Sequence, residues 1–220
     1  IAEGSKGLRS IQRKGSNSFE ALNEPIILDG PYSNSAFDIV CKNDKVYMII
    51  GGKDLLNGKR FDKGGYILTY DYDKWSFIDP KEAQKKLNLP RNPRDYTSIA
   101  VTTDDSNDEI VYASSMGDGV IQYKNGTPVQ SYNEKNAFKE TAGGYGSGYC
   151  YIDGLAFDKN GNLWMTSSEV NHAVLVLDKA GAWHRLDIEQ LRGVYTINDI
   201  LITSTNDKWI YVPRNTPKLV

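Results

Sequence analysis

The chain has 220 residues, with 26 Lys and Arg against 28 Asp and Glu, giving a formal net charge of −2. That length can bury a sizeable core, while the near-neutral balance excludes a general nucleic-acid binder, which needs surplus cations to displace counterions. Apolar runs are only a few residues long, Val174 to Leu177 being one, so no segment has the length of a transmembrane helix. Fourteen Tyr, four Trp and twenty Gly point to a β-rich fold punctuated by turns. The first residue is Ile1, with neither an initiator Met nor a signal peptide, so a processed or truncated piece is expected.

In chain order, residues 7–24 read as the second half of a four-stranded unit. A full unit follows at 36–80. It opens with the apolar run Phe37 to Cys41, turns at Lys42-Asn43-Asp44 and continues in a run centred on Tyr47. A second hairpin, Tyr66 to Tyr70 and Trp75 to Ile78, completes it. The unit at 95–133 repeats the plan with Ile99 to Val101, a polar turn at 103–108, a run centred on Tyr112, and the hairpin Val120 to Tyr123 and Val129 to Tyr132. The unit at 149–188 repeats it again with Leu155 to Phe157, the turn Asp158 to Gly161, Trp164, and the hairpin Val174 to Leu177 and Trp183 to Leu186. Residues 194–220 supply Ile200 to Ile202, a turn and Trp209, then stop after two strands.

Four short strands recurring every ~45–65 residues form one propeller blade, which buries its faces only against neighbouring blades. The expected fold is therefore an all-β propeller of four-stranded antiparallel blades. The whole chain, 1–220, is one propeller segment of about three full blades and two half-blades (7–24 and 194–220), read as part of a larger propeller. Three insertions interrupt it: residues 51–65, a helical stretch at 80–89, and a loop at 134–148 ending in Gly143-Gly-Tyr-Gly-Ser-Gly148. Such insertions gather on one rim and carry the binding.

Several motifs fail on inspection. Residues 143–148 hold no dinucleotide-binding register, and residues 52–60 have the wrong spacing for a phosphate loop, with Arg60 where Ser or Thr must hold magnesium. Asp158-Lys-Asn-Gly-Asn162 opens like a calcium loop but lacks the later oxygen ligands, so it reads as a hairpin turn. His172 and His184 have no partner at ligand spacing, and Ser147 sits in no nucleophile elbow. Asp104-Asp105 and Asp108-Glu109 fall in a turn. Cys41 and Cys150 read as a disulfide or as two free thiols. No catalytic, metal or cofactor-binding residue is assigned. The sharpest charge feature is the cluster Lys81, Lys85, Lys86, Arg91 and Arg94. With Tyr145 of the glycine-rich loop, it is the candidate contact for an anionic partner such as a phosphorylated glycan.

The stretch Tyr151-Ile-Asp-Gly-Leu-Ala-Phe-Asp-Lys-Asn-Gly-Asn-Leu-Trp-Met-Thr-Ser167 resembles the two-component-regulator propeller repeat. Residues 45–52, 95–101, 111–121 and 123–126 are similar, in that order, to the PorZ-like propeller proteins of Bacteroidetes. The likeness runs from about residue 36 to 212. It implies an extracytoplasmic protein, in the periplasm or on the outer-membrane surface, acting as a non-catalytic binding or scaffold module. The partners implied are proteins of a type IX secretion or sensing complex, and an anionic glycan or lipopolysaccharide. The same repeat implies an alternative, the periplasmic glycan-sensing ectodomain of a hybrid two-component system. A propeller-based polysaccharide lyase or glycosidase is a third reading, for which the loops offer Asp54, Asp62, Glu140 and Tyr145.

Overall fold

The computed structural model describes residues 10–22, 24, 30–138, 148–213 and 217–220. Strands β1 (Ile11–Arg13) and β2 (Phe19–Ala21) form a hairpin. A four-stranded antiparallel meander follows: β3 (Ala36–Lys42), β4 (Lys45–Ile50), β5 (Ile67–Asp71) and β6 (Lys74–Ile78). Helix α1 (Pro80–Leu87) leads to a second meander of β7 (Tyr96–Thr103), β8 (Glu109–Gly117), β9 (Gly119–Lys124) and β10 (Thr127–Tyr132). The third comprises β11 (Cys150–Phe157), β12 (Leu163–Ser167), β13 (Val174–Leu177) and β14 (Trp183–Leu186). A three-stranded sheet of β15 (Asp199–Ile202), β16 (Lys208–Val212) and β17 (Lys218–Leu219) ends the chain. The sequence predicts two strands in this last unit, and the structure adds a third. Strand β17 has only two residues, too few for an alternation to show. Gly7, Tyr145 and Glu140 lie outside the described residues.

The fold is a β-propeller. Its sheets stack face to face, and the apolar pattern records how many faces each sheet has covered. Tyr47, Ile49 and Ile67 of the first sheet pack against Tyr96, Ile99, Val111 and Ile121 of the second. The second sheet's other face, with Tyr112 and Val120, packs on Ile152, Leu155, Met165 and Leu175 of the third. The second sheet is thus covered on both sides, and β8 is buried almost throughout. The last sheet is covered on one side, and its residues alternate accordingly. Ile200, Ile210 and Val212 pack on the third sheet, while Leu201, Trp209 and Tyr211 face outward.

The first strand of each sheet lies innermost, with β7 between β3 and β11, and β15 beside β11. Each of β3, β7 and β11 carries a β-bulge at the same place: between Ala36 and Asp38, Tyr96 and Ser98, and Ile152 and Leu155. A bulge leaves backbone donors off the ladder, and side chains of the adjacent sheet collect them. Asp38 Oδ2 accepts from Ile99 N–H at 3.1 Å, and Ser98 Oγ accepts from Leu155 N–H at 3.2 Å. The Thr97 hydroxyl donates to Ile152 O at 2.6 Å. At the next equivalent step Gly154 has no side chain, because β15 comes too close. A Cβ there would stand 2.6 Å from Ile200 N and 2.9 Å from Asp199 Cα.

Near these bulges lies a buried ion pair. Lys53, just after the first sheet's second strand, reaches Asp153 of the third sheet, and both side chains are 1% exposed. The ammonium hydrogen-bonds Asp153 Oδ1 and sits 4.8 Å from the centre of the Tyr151 ring. Ser168 donates its hydroxyl to Asp153 Oδ2 at 2.6 Å and accepts from Ile197 N–H at 2.8 Å. Burial pushes Asp153 up to about 6, against the lowering effect of Lys53 and Ser168.

The turns are closed by short polar side chains. The Asp158 carboxylate accepts from the N–H groups of Asn160 and Asn162, from the Asn162 amide and from the Trp164 indole, all within 2.9–3.0 Å. Gly161 adopts φ +83°, as a hairpin turn requires. The Asp-x-x-Gly-Asn-Leu-Trp pattern is therefore a folding device, and its oxygens are used up within the turn. Cys41 and Cys150 are both free, Cys41 exposed on β3 and Cys150 buried at the start of β11. Strand β11 also pairs with β8 there, Cys150 opposite Gly117 and Tyr151 opposite Met116, which fuses the second and third sheets.

Two outcomes test this core. Gly154→Ala forces β15 away from β11 and lowers unfolding free energy by about 1–3 kcal/mol, the range for overpacking a tight site. Chemical denaturation measures it, and a neutral result would contradict the close approach. Lys53→Met leaves a buried carboxylate without its counter-charge, at a cost of about 3–5 kcal/mol. The folded-state value of Asp153 already lies above the ordinary carboxylate range, so its support for folding is complete below about pH 4 and is lost as pH rises through about 6. Without Lys53 that value climbs further. The variant's deficit is therefore larger at about pH 8 than at about pH 5, and an equal deficit at both would show that Asp153 does not titrate in the fold.

Candidate functional site

The meander topology sorts the connections onto two rims. Links between first and second strands, and between third and fourth, are tight turns on one rim. The β4–β5, β6–β7 and β10–β11 connections share the other, and these hold all three insertions. The insertion rim is the candidate site.

Helix α1 forms there because its ends are specified. The Asp79 side chain accepts from Lys81 N–H at 2.9 Å, Pro80 occupies the first turn, and Asn88 closes the helix in a left-handed conformation. Pro80 and Ala83 are its buried residues, and the helix packs over β10 of the second sheet. Lys81, Lys85 and Lys86 are exposed and form no ion pair among the described residues. Lys85 and Lys86 lie in the last turn, where the helix dipole favours cations.

The two arginines of the predicted cluster differ from the lysines. The Arg91 guanidinium pairs with Asp118 at 2.7 Å, and Asp118 also accepts the Arg94 backbone N–H at 3.1 Å. The Arg94 side chain lies 3.9 Å from Asp62. Among the described residues, three of the five predicted cations thus have no ion-pair partner and two have one. Arg91, Asp118, Lys135 and Tyr149 line a cleft of about 410 Å³ beside the helix's exit. Tyr145 lies outside the described residues, so its position relative to this cleft is not assigned.

On the opposite rim, a larger cleft of about 660 Å³ opens between the second and third sheets. Tyr112, Tyr132 and Phe157 form its apolar wall, with Gln122, Lys124 and Lys179 around it. The Tyr132 hydroxyl donates to Gln122 at 2.9 Å, and burial raises both tyrosines. Lys124 is pushed up to about 12 by Asp104 and Asp108, at 2.8 and 2.7 Å. Lys124 in turn holds both carboxyls below the ordinary range. In the sequence these aspartates read as a solvated turn, with no sign of the cleft. The signal available was three aromatics, Tyr112, Tyr132 and Phe157, on strands of adjacent units, where facing sheets bring them together.

Other candidates stay apart. His184 bonds Asp178 at 2.7 Å and lowers that carboxyl. Asp54 bonds within its own loop, and Asp62 lies beside Arg60 and Arg94. Among the described residues, no three His, Cys, Asp or Glu side chains are grouped so as to hold a metal ion, and no helix is long and apolar enough to cross a membrane.

No protein-family model and no curated protein matches the chain. Solved structures do. PorZ of Porphyromonas gingivalis, described as an essential bacterial surface component of the type-IX secretion system, is 22% identical with a TM-score of 0.69 over 94% of this chain and 26% of its own. The extracellular domain of the putative hybrid two component system BT4673 from B. thetaiotaomicron is 17% identical, with a TM-score of 0.52 over 98% of this chain and 24% of its own. The chain thus spans about a quarter of each of these proteins, and what it shares with them is the β-propeller fold.

Proposed function

We propose that this chain belongs to an extracytoplasmic propeller, in the periplasm or on the outer-membrane surface, that works by binding and carries no catalytic centre of its own. Its partner is an anionic glycan or lipopolysaccharide, held within a secretion or sensing assembly. The observation that carries the reading is the row of exposed cations Lys81, Lys85 and Lys86, without an ion-pair partner among the described residues, set on a capped helix at the insertion rim. Clustered cations raise the local concentration of an anionic ligand and speed its capture. The fold likeness to PorZ supports the secretion setting, and that to the BT4673 ectodomain supports the alternative of a glycan-sensing ectodomain. The enzymatic reading, a lyase or glycosidase, has less support, because Asp54 and Asp62 already have local partners.

Replacing Lys81, Lys85 and Lys86 together with Ala weakens binding to purified lipopolysaccharide by about tenfold at low ionic strength and flattens its salt dependence. Titrations at two salt concentrations check both. Unchanged affinity and slope would leave the lysines as a solvated helix face. The full-length open reading frame separates the two settings, because a sensor adds a transmembrane helix and a signalling module.

A further inference from the structure

The β4–β5 connection carries a feature that the anionic-glycan reading does not use. Leu56 is 88% exposed and its neighbour Leu55 is 45% exposed. Exposed leucines are ordinary on mobile tails, but this pair sits at the tip of a tightly bonded miniature hairpin. Lys53 and Arg60 form an antiparallel bridge at its base. Above it, Asp54 N–H donates to Lys59 O at 2.8 Å, and Gly58 N–H donates to Asp54 O at 2.7 Å. The Asp54 carboxylate accepts from Leu56 N–H at 2.8 Å and from the Asn57 amide at 2.6 Å. Lys59 N–H donates to Asn57 Oδ1 at 2.7 Å. These bonds fix the shape of the tip, and the two leucines are held out in water at a lasting hydration cost.

The hairpin is anchored at its base. Lys53 ends in the buried pair with Asp153, and Arg60 bonds Asp95 at 3.0 Å. Beside the base, Phe61 is exposed, with the Lys63 ammonium 5.5 Å from its ring centre. Lys59 and Lys63 are both exposed. Of the nearby carboxylates, Asp54 is held within the tip, and the exposed Asp62 lies 3.7 Å from Arg60 and 3.9 Å from Arg94. The surface offered is an aliphatic tip with an aromatic shoulder and flanking free lysines, on the same rim as Lys81, Lys85 and Lys86.

We infer that residues 54–63 form a membrane-contact tip, in which Leu55 and Leu56 enter the headgroup and acyl boundary of an anionic lipid surface while Lys59 and Lys63 meet its headgroups. The chemistry favours lipid over a protein groove. Protein hot spots draw on Trp, Tyr and Arg and under-use Leu, whereas interfacial elements combine aliphatic and aromatic groups with lysine. Two leucines give weak attachment alone, so binding is reversible and requires anionic lipid. The Leu56 N–H bonded to Asp54 and the Gly58 N–H bonded to Asp54 O lower the cost of bringing the tip to the headgroup boundary, where the remaining backbone groups still meet water.

The test uses vesicles of phosphatidylcholine alone and with about one-third phosphatidylglycerol. The wild-type chain co-sediments with the anionic vesicles about tenfold more strongly than with the neutral ones. Leu55→Ser combined with Leu56→Ser lowers that binding about tenfold, with circular dichroism and thermal unfolding unchanged because both sites are exposed. Lys59→Glu with Lys63→Glu lowers the anionic preference several-fold. Leu56→Trp adds an emission component that shifts to the blue on anionic vesicles and is quenched by brominated acyl chains, and dextran sulfate in solution produces neither change. Failure of the wild type to sediment would overturn the proposal, as would full retention by the serine variant or an unshifted emission from the Leu56→Trp variant with vesicles bound. A tip that serves a protein partner gives that last set of results. The serine variant and the Leu56→Trp emission read the tip directly and leave Lys81, Lys85 and Lys86 in place, so this inference and the glycan reading fail separately.

Discussion

The contact on which the rest of the structure depends is the buried pair between Lys53 and Asp153. It joins the first sheet to the third, past the second, and neither partner sees solvent. Two charges taken out of water repay their desolvation only when the geometry is good and the remaining lone pairs are satisfied. Ser168, which donates to the second Asp153 oxygen, and the Tyr151 ring beside the ammonium contribute to those conditions. The requirement runs outward from there. Gly154 must stay bare so that β15 can close in, and the hydroxyls of Thr97 and Ser98 must bridge adjacent sheets where the strand ladder is interrupted. Polar contacts fix the register near the innermost strands, and apolar packing between sheets fills the space farther out.

The two rims follow from different uses of aspartate. On the turn rim, Asp104 and Asp158 fold their own hairpins by accepting backbone donors, and Lys124 neutralises what remains exposed. Little charge is left uncommitted around Tyr112 and Tyr132. On the insertion rim, Asp95 and Asp118 hold the long connections against the sheets through Arg60 and Arg91. The lysines of α1 are outside that bracing. Around α1, then, the two arginines of the basic run are drawn into pairing while its three lysines stay on the open surface.

Much of this is legible in the sequence. Tyr47, Tyr112, Trp164 and Trp209 mark the second strand of each of the four larger sheets, and for Tyr47, Tyr112 and Trp164 the reason is packing against the next sheet. The Asp158 turn can be distinguished from a calcium loop by counting the oxygens that are missing. The fate of each charge is not legible. Arg91 and Lys85 look alike in a basic run, and only the fold places Asp118, 27 residues away, beside the first. Lys53 lies within a segment that reads as a surface insertion, and nothing local signals a buried partner 100 residues downstream. The large cleft escapes notice because its wall comes from three separated hairpins, each with an ordinary aromatic.

The state of the two cysteines has a practical consequence. Cys150 is enclosed where β11 joins β8, and burial pushes its thiol up to about 12, so at neutral pH it is neither ionised nor reachable. Cys41 stands exposed on β3, beside the turn into β4 and at the opposite end of the first sheet from the hairpin that begins at Lys53. The native chain therefore offers a single addressable sulfur at neutral pH. A spectroscopic label attached there would report on the orientation of that sheet without any engineered substitution.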